Sequence, residues 1–185
     1  MRLFVGIEFP DNIMRELLRI QKLIRSQAKH GRFVAGDNLH LTLQFLGEVP
    51  PAKIGLIEER LHITSQQHNP FLLTLNSTGS FGKGNPLRVV WVGLNGELSK
   101  LAYLQNSIAA SLAAVGYPPE DKPYQPHVTL GREVELPEPG LQGFNREIEK
   151  LPFTVERFSL IKSTVENGKR IYSPVQSFAL SVEAV

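Results

Sequence analysis

Two histidines and two threonines recur in one arrangement, as His40-Leu41-Thr42-Leu43 and His127-Val128-Thr129-Leu130. Alternate side chains of a β-strand share a face, so His40 would point with Thr42 and His127 with Thr129, while the intervening Leu41 and Val128 turn to a core. Two such strands set face to face would line a cleft with two proton-transfer groups and two hydroxyls. That suits a reaction needing an acid and a base. A third partial match, His62-Ile63-Thr64, falls where Ile54, Ile57 and Leu61 recur at helical spacing after Pro50-Pro51. Residues two apart on a helix project roughly 200° apart around the axis. His62 and Thr64 therefore cannot converge on one ligand, and His62 is assigned to a helix surface.

Four kinds of role are open to two histidines and two threonines. Zinc binding is poorly served, because there is no His-Glu-x-x-His and no Cys/His cluster, and each repeat supplies one histidine. A serine hydrolase would need a nucleophile elbow, and Gly79-Ser80-Phe81-Gly82 lacks the Gly-x-Ser-x-Gly spacing. A structural role, with each imidazole buried and hydrogen-bonded, is the bland alternative for one histidine, but the repetition argues against it. Phosphodiester cleavage remains. In-line displacement at phosphorus places entering and leaving oxygens on opposite sides, so an acid and a base must flank the phosphate. Imidazoles, with a reference pKa of about 6.5, reach both protonation states near neutrality, and hydroxyls can donate to the non-bridging oxygens without a metal.

The 185 residues suffice for one compact domain or for two small lobes sharing a cleft, and length alone leaves both open. Hydrophobic residues make up 42% and charged residues 21%, and no apolar run approaches a membrane span. The opening apolar stretch is interrupted at Glu8 and is too short for a signal peptide, so a cytoplasmic protein is expected. With no cysteine, disulfides, zinc-thiolate sites and thiol nucleophiles are excluded. A net charge of +2 is too modest to argue a strong nucleic-acid binder, yet is compatible with an anion held locally.

The elements that would position the histidines read as follows. A strand over 2–9 is apolar at Leu3, Val5, Ile7 and Phe9, and Pro10-Asp11 opens a helix striped by Ile13, Leu17, Ile20 and Ile24 and ended by Gly31. Its basic residues, among them Arg15, Arg19, Lys22 and Arg25, read as a solvated face. The first histidine strand ends at Gly47, and a helix spans 50–67. Two β-rich runs, 71–77 and 87–94, form a hairpin whose long Gly-rich turn, 78–86, carries Lys83 but not the Gly-Lys-Ser/Thr of a phosphate-binding loop. Leu98, Leu101, Leu104, Ile108, Leu112 and Val115 mark a third helix, stopped by Gly116, and the second histidine strand follows. The segment 131–152, rich in Pro, Gly and Glu, would form a flap beside the site. Runs 153–165 and 170–182 make a closing hairpin turned by Asn167-Gly168. The class is α+β, and the two halves resemble divergent copies.

Around the tetrads the chain is similar to the 2H phosphoesterase superfamily, and within it to the RNA 2′,3′-cyclic phosphodiesterases, also called LigT or 2′-5′ RNA ligase family proteins. The resemblance rests on Met1-Arg2-Leu3-Phe4-Val5-Gly6-Ile7, on Asn38-Leu39-His40-Leu41-Thr42-Leu43-Gln44-Phe45-Leu46-Gly47, on the Arg88-Val89-Val90-Trp91-Val92-Gly93 strand and on Pro126-His127-Val128-Thr129-Leu130-Gly131-Arg132. It covers nearly the whole chain. It implies a bilobal α+β domain over 1–185, its two intertwined lobes related by pseudo-twofold symmetry. Two antiparallel sheets would face each other across a central cleft, with helices outside.

The implied reaction is metal-independent and cofactor-free. It hydrolyses RNA 2′,3′-cyclic phosphate ends to 2′-phosphates, and some members also join RNA ends through a 2′-5′ linkage. The implied partners are RNA ends or nucleoside 2′,3′-cyclic phosphates, with no membrane, acted on by a monomer. Carried over, His40 and His127 are acid and base, family precedent giving His40 the leaving 3′-oxygen and His127 the water. Thr42 and Thr129 would contact phosphate oxygens, Arg132 would neutralise developing charge, and Phe45 would stack near base or ribose. Phe45 and Arg132 each follow their histidine by five positions and would face away on an ideal strand, so a bend is required. Gly131 offers a bulge; no glycine precedes Phe45, which leaves a core position open for it. The rival reading is a non-catalytic RNA-end binding module that uses Arg132 and Lys83.

Overall fold

The alternation of Leu3, Val5 and Ile7 produces a strand, β1 (Arg2–Ile7), in which every residue from Leu3 onward is buried. In the computed structural model, which describes residues 1–181, α1 (Asp11–Gln27) follows and buries the expected stripe of Ile13, Leu17, Ile20 and Ile24. Burial of that stripe, rather than helix propensity, is what stabilises such an element. The helix stops before Gly31, where the Ala28 N–H reaches Ile24 O. Gly31 instead lies in a short strand that sequence periodicity did not reveal, β2 (His30–Phe33). A Cβ there would meet Val134 and Phe33 at 3.0 and 3.1 Å, so the glycine serves close strand packing and not a helix end.

The first repeat gives β3 (Leu41–Glu48), with His40 one residue before its ladder. Then come α2 (Pro51–Ser65), β4 (Phe71–Phe81), β5 (Leu87–Gly96), α3 (Leu98–Ala113) and β6 (His127–Glu135), which begins on the second histidine. The 78–86 connection is shorter than its glycines suggested. Strand β4 continues through Phe81, and Thr78 is buried with its hydroxyl donating to Asn145 Oδ1 at 2.6 Å.

Two other expectations are corrected. The segment 131–152 is not a flap: β6 runs to Glu135, a 3₁₀ turn covers Gly140–Phe144, and Leu136, Phe144 and Ile148 are anchored in the core. Its backbone is held by side chains of other elements, with Glu16 of α1 accepting from the Glu149 N–H at 2.8 Å. Likewise 153–165 is two strands, β7 (Pro152–Val155) and β8 (Arg157–Glu166), which belong to different sheets. The closing hairpin pairs β8 with β9 (Lys169–Ala179), and Val182 of the expected strand lies outside the described residues. Asn167 and Gly168 have φ of 50° and 75°, the left-handed pair a tight hairpin requires.

All strand pairings are antiparallel and form two sheets, in the orders β3-β1-β8-β9 and β2-β6-β5-β4-β7. One hydrophobic core runs through both, joining Leu41 and Leu43 of the first repeat to Val128 and Leu130 of the second. The repeats do not hold equivalent places. Strand β3 is the edge of its sheet, whereas β6 is covered by β2 and β5.

Candidate active site

Both imidazoles are anchored in the same way. His40 Nδ1 lies 2.7 Å from Asn38 O, and His127 Nδ1 lies 2.7 Å from Gln125 O, each carbonyl coming from two residues upstream. A carbonyl only accepts, so Nδ1–H must donate in both rings. That leaves Nε2 as the nitrogen free to take or give a proton. His40 Nε2 stands 2.8 Å from Thr42 Oγ1, which joins the first and third residues of the tetrad as strand alternation requires.

Each ring is also walled by aromatic side chains of its own sheet. His40 packs on Phe4 at 4.6 Å and edge-on against Tyr172 at 5.1 Å. His127 meets Phe81 edge-on at 4.8 Å, and Trp91 lies behind at 6.4 Å. Burial in these walls lowers both histidine pKa values. Opposing it at His40 are the Asn38 carbonyl and the charge of Glu8, while the second imidazole lowers it further. At His127 the Gln125 carbonyl opposes burial and Arg132 reinforces it.

A cleft of about 620 Å³ is lined by His40, Thr42, His127, Thr129, Arg132 and Phe45. All six residues singled out by sequence reasoning therefore share one cavity. Arg2, Lys169 and Arg170 join Arg132 in its wall, and no carboxylate does among the described residues that line it. The result is a local excess of positive potential that the near-neutral net charge concealed. A second groove of about 1150 Å³ meets the cleft at Thr42, Phe45, His127 and Arg132, and adds Arg88, Lys122 and Glu120. Lys83 lines neither. His62 is exposed on α2, as its spacing required. Among the described residues no three His, Asp or Glu side chains gather as a metal-ligand set.

Bulges resolve the orientation of Phe45 and Arg132. Along β3 the pairing with β1 jumps from Gln44 to Thr42, so Leu43 is an extra residue, and Leu43 and Gln44 are buried in succession. Along β6 the pairing with β5 jumps from Gly131 to Thr129, so Leu130 is extra, and Leu130 and Gly131 are buried in succession. Each bulge reverses the two-residue alternation three positions after its histidine. Phe45 and Arg132 are thereby returned to the imidazole face. No glycine is needed on β3, and Phe45 is 52% exposed, which excludes the core position.

Several supporting residues escaped sequence reasoning. Tyr124 is half-buried and donates its hydroxyl to Thr42 O at 3.1 Å, tying the approach to His127 onto the opposite histidine strand. Burial raises its phenol pKa, so it stays a neutral donor. Phe4, Phe81 and Tyr172 lie far in sequence from the histidines they wall, and no local pattern marks them. Asn38 and Gln125 share the position two before the histidine, a signal that comparing the repeats could have exposed.

Gly79 shows how closely the second wall is fitted. A Cβ there would fall 2.2 Å from the Trp91 indole, which lies across the glycine backbone from the neighbouring strand. Gly79→Ala is therefore expected to displace Trp91 and, through their 5.4 Å ring contact, Phe81. Overpacking of this kind costs about 1–3 kcal/mol. A urea midpoint unchanged from the parent protein would refute that packing argument.

The family model for the 2′-5′ RNA ligase superfamily matches residues 9–167. The RNA 2′,3′-cyclic phosphodiesterase of Escherichia coli strain K12 is 33% identical over 187 aligned positions, covering 97% of each chain. The protein of that name from Archaeoglobus fulgidus is 34% identical over 183 positions, covering 96% of this chain and 99% of its own. Among solved structures, TT0787 of Thermus thermophilus superposes with a TM-score of 0.81 at 29% identity, covering 97% of this chain and 98% of that one. E. coli LigT complexed with 3′-AMP gives 0.76 at 32% identity, covering 98% of both.

Proposed function

Because the chain belongs to the 2′-5′ RNA ligase superfamily, we propose that it is a metal-independent RNA 2′,3′-cyclic phosphodiesterase whose acid and base are His40 and His127. The observation that carries this reading is the matched pair of imidazoles. Both have Nδ1 occupied by an upstream carbonyl, and both line one cleft rich in cations. An RNA-end binding module would need the cations but not two rings whose Nδ1 is anchored in the same way. Relatives over nearly their full length carry the phosphodiesterase name, and E. coli LigT has been solved with 3′-AMP and with phosphate. These support a nucleotide or RNA end as the partner of this chain.

In this mechanism the cyclic phosphate sits between the rings. His127 Nε2 takes a proton from water, whose oxygen attacks phosphorus in line with the 3′-oxygen. The P–O3′ bond breaks, and His40 Nε2–H delivers its proton to O3′, leaving a 2′-phosphate. Before reaction the protonated His40 Nε2–H donates to Thr42 Oγ1. The Thr42 and Thr129 hydroxyls donate to the non-bridging oxygens, and Arg132 neutralises charge that grows there. Phe45, exposed at the mouth, offers an aromatic face to base or ribose. No helix of the described chain is long and apolar enough to cross a membrane. A cytoplasmic monomer is the working assignment, which sedimentation and fractionation would check.

Phosphorus NMR of the products tests the reading directly. Hydrolysis of a nucleoside 2′,3′-cyclic phosphate should yield the 2′-phosphate alone, at a rate unaffected by EDTA. A 3′-phosphate product would reverse the bond assignment. Activity lost on chelation and restored by a divalent metal would remove the two-histidine account.

A further inference from the structure

Besides the turn bond from its own N–H to Ala35 O, Asn38 makes three hydrogen bonds with two different parts of the site. Its backbone carbonyl accepts from His40 Nδ1 at 2.7 Å. Its carboxamide Nδ2 donates to Arg170 O at 2.8 Å, and its Oδ1 accepts the Tyr172 N–H at 3.1 Å. Backbone groups two residues apart on a strand face the same side, and β9 is the edge of its sheet. The carboxamide thus pairs with β9 as a neighbouring strand would. Asn38 is only 8% exposed, so neither half of the contact is readily replaced by water.

The segment it grips matters to the site. Lys169 and Arg170 line the cationic cleft, and the Tyr172 ring stands edge-on to His40. We propose that Asn38 is a positioning residue that locks His40 into its Nδ1–H tautomer and couples that orientation to the β8–β9 hairpin. The inference rests on the reading of His40 as general acid. Anything that moves the hairpin, including an anion drawn to Lys169 and Arg170, then moves the carbonyl that orients the acid. Among the described residues His127 has no such link: Gln125, which supplies its carbonyl, is exposed. The two histidines are alike in their Nδ1 hydrogen bonds and unlike in what holds those bonds in place.

Asn38→Ala keeps the carbonyl and removes only the carboxamide, so it isolates the coupling. On a nucleoside 2′,3′-cyclic phosphate its kcat should fall about 10- to 100-fold, the scale of a slightly misplaced catalytic group. On the p-nitrophenyl ester of a 3′-deoxynucleoside 2′-phosphate, whose leaving group departs without a proton, the loss should shrink to about threefold or less. His40→Ala should show the same contrast, more strongly. If His40→Ala loses equally on both substrates, the acid assignment itself fails. If His40→Ala shows the contrast and Asn38→Ala does not, the positioning role is overturned while the acid survives.

Nitrogen-15 NMR of the imidazoles supplies a readout independent of turnover. The parent His40 should be protonated at Nδ1, and Asn38→Ala should show a mixture of tautomers. An unchanged single tautomer would defeat the proposal. Should Asn38→Ala not fold, Asn38→Asp serves in both measurements, since it retains the acceptor for Tyr172 and loses the donor to Arg170. Parent-like kcat and a single tautomer in that variant would likewise overturn the coupling.

Discussion

Replacing either His40 or His127 with alanine should lower single-turnover hydrolysis of a 2′,3′-cyclic phosphate by about 10²- to 10⁴-fold, the range of general acid or base catalysis. If both rings serve one in-line transition state, removing the second after the first should cost far less than its own single effect. The double variant is expected near the weaker single variant and well above the product of the two losses. Thr42→Ala and Thr129→Ala should be milder, because each removes one hydroxyl while the cations lining the cleft, Arg132 among them, remain. His62→Ala supplies the control, being exposed on α2 with the same His-x-Thr spelling and no place in the cleft. Full activity in either His40→Ala or His127→Ala, or a collapse in His62→Ala, would sink the site assignment.

The pH dependence of kcat/KM should be a bell whose rate falls tenfold per pH unit on each side. It reports the free enzyme, in which one imidazole must be protonated and the other neutral. Going down in pH, the rate falls when the base gains its proton; going up, it falls when the acid loses its own. Burial lowers both histidine pKa values, so both limbs move to lower pH and the maximum should lie below the ordinary imidazole value of about 6.5. The limbs belong to the interacting pair, since the second imidazole lowers the His40 pKa. Arg132 is among the groups that lower His127. Arg132→Gln should therefore shift the acid limb upward as well as weaken binding. A bell centred well above 6.5, or an acid limb that Arg132→Gln leaves in place, would contradict this electrostatic account.

How far these residues were readable before folding depends on the range of the interaction concerned. The repeated tetrad named His40, Thr42, His127 and Thr129 because strand alternation is a local property, expressed within three residues. The same local geometry separated His62 from them, since helical spacing cannot bring residues two apart together. The α1 stripe, the second and third helices and the Asn167-Gly168 turn were legible for the same reason. Gly31 was misread because a glycine that permits close strand packing has the same spelling as one that ends a helix. The run 153–165 gave no sign of its division, because both strands are apolar and only their partners distinguish them.

The sequence by itself determined the chemical inventory: two imidazoles each paired with a hydroxyl, no thiol, and an Arg and a Phe at matched offsets. Tertiary structure alone decided whether that inventory becomes a site. It turns Phe45 and Arg132 back to the imidazole face through bulges at Leu43 and Leu130, which are defined by register against β1 and β5. It collects Arg2, Lys169 and Arg170 from opposite ends of the chain around one cavity. It also sets the tautomer of His40, through a carbonyl whose residue is itself held by β9. The physical reason is the same throughout. Backbone alternation is written into a few consecutive residues, whereas register, electrostatic potential and proton placement depend on atoms brought together from distant parts of the chain.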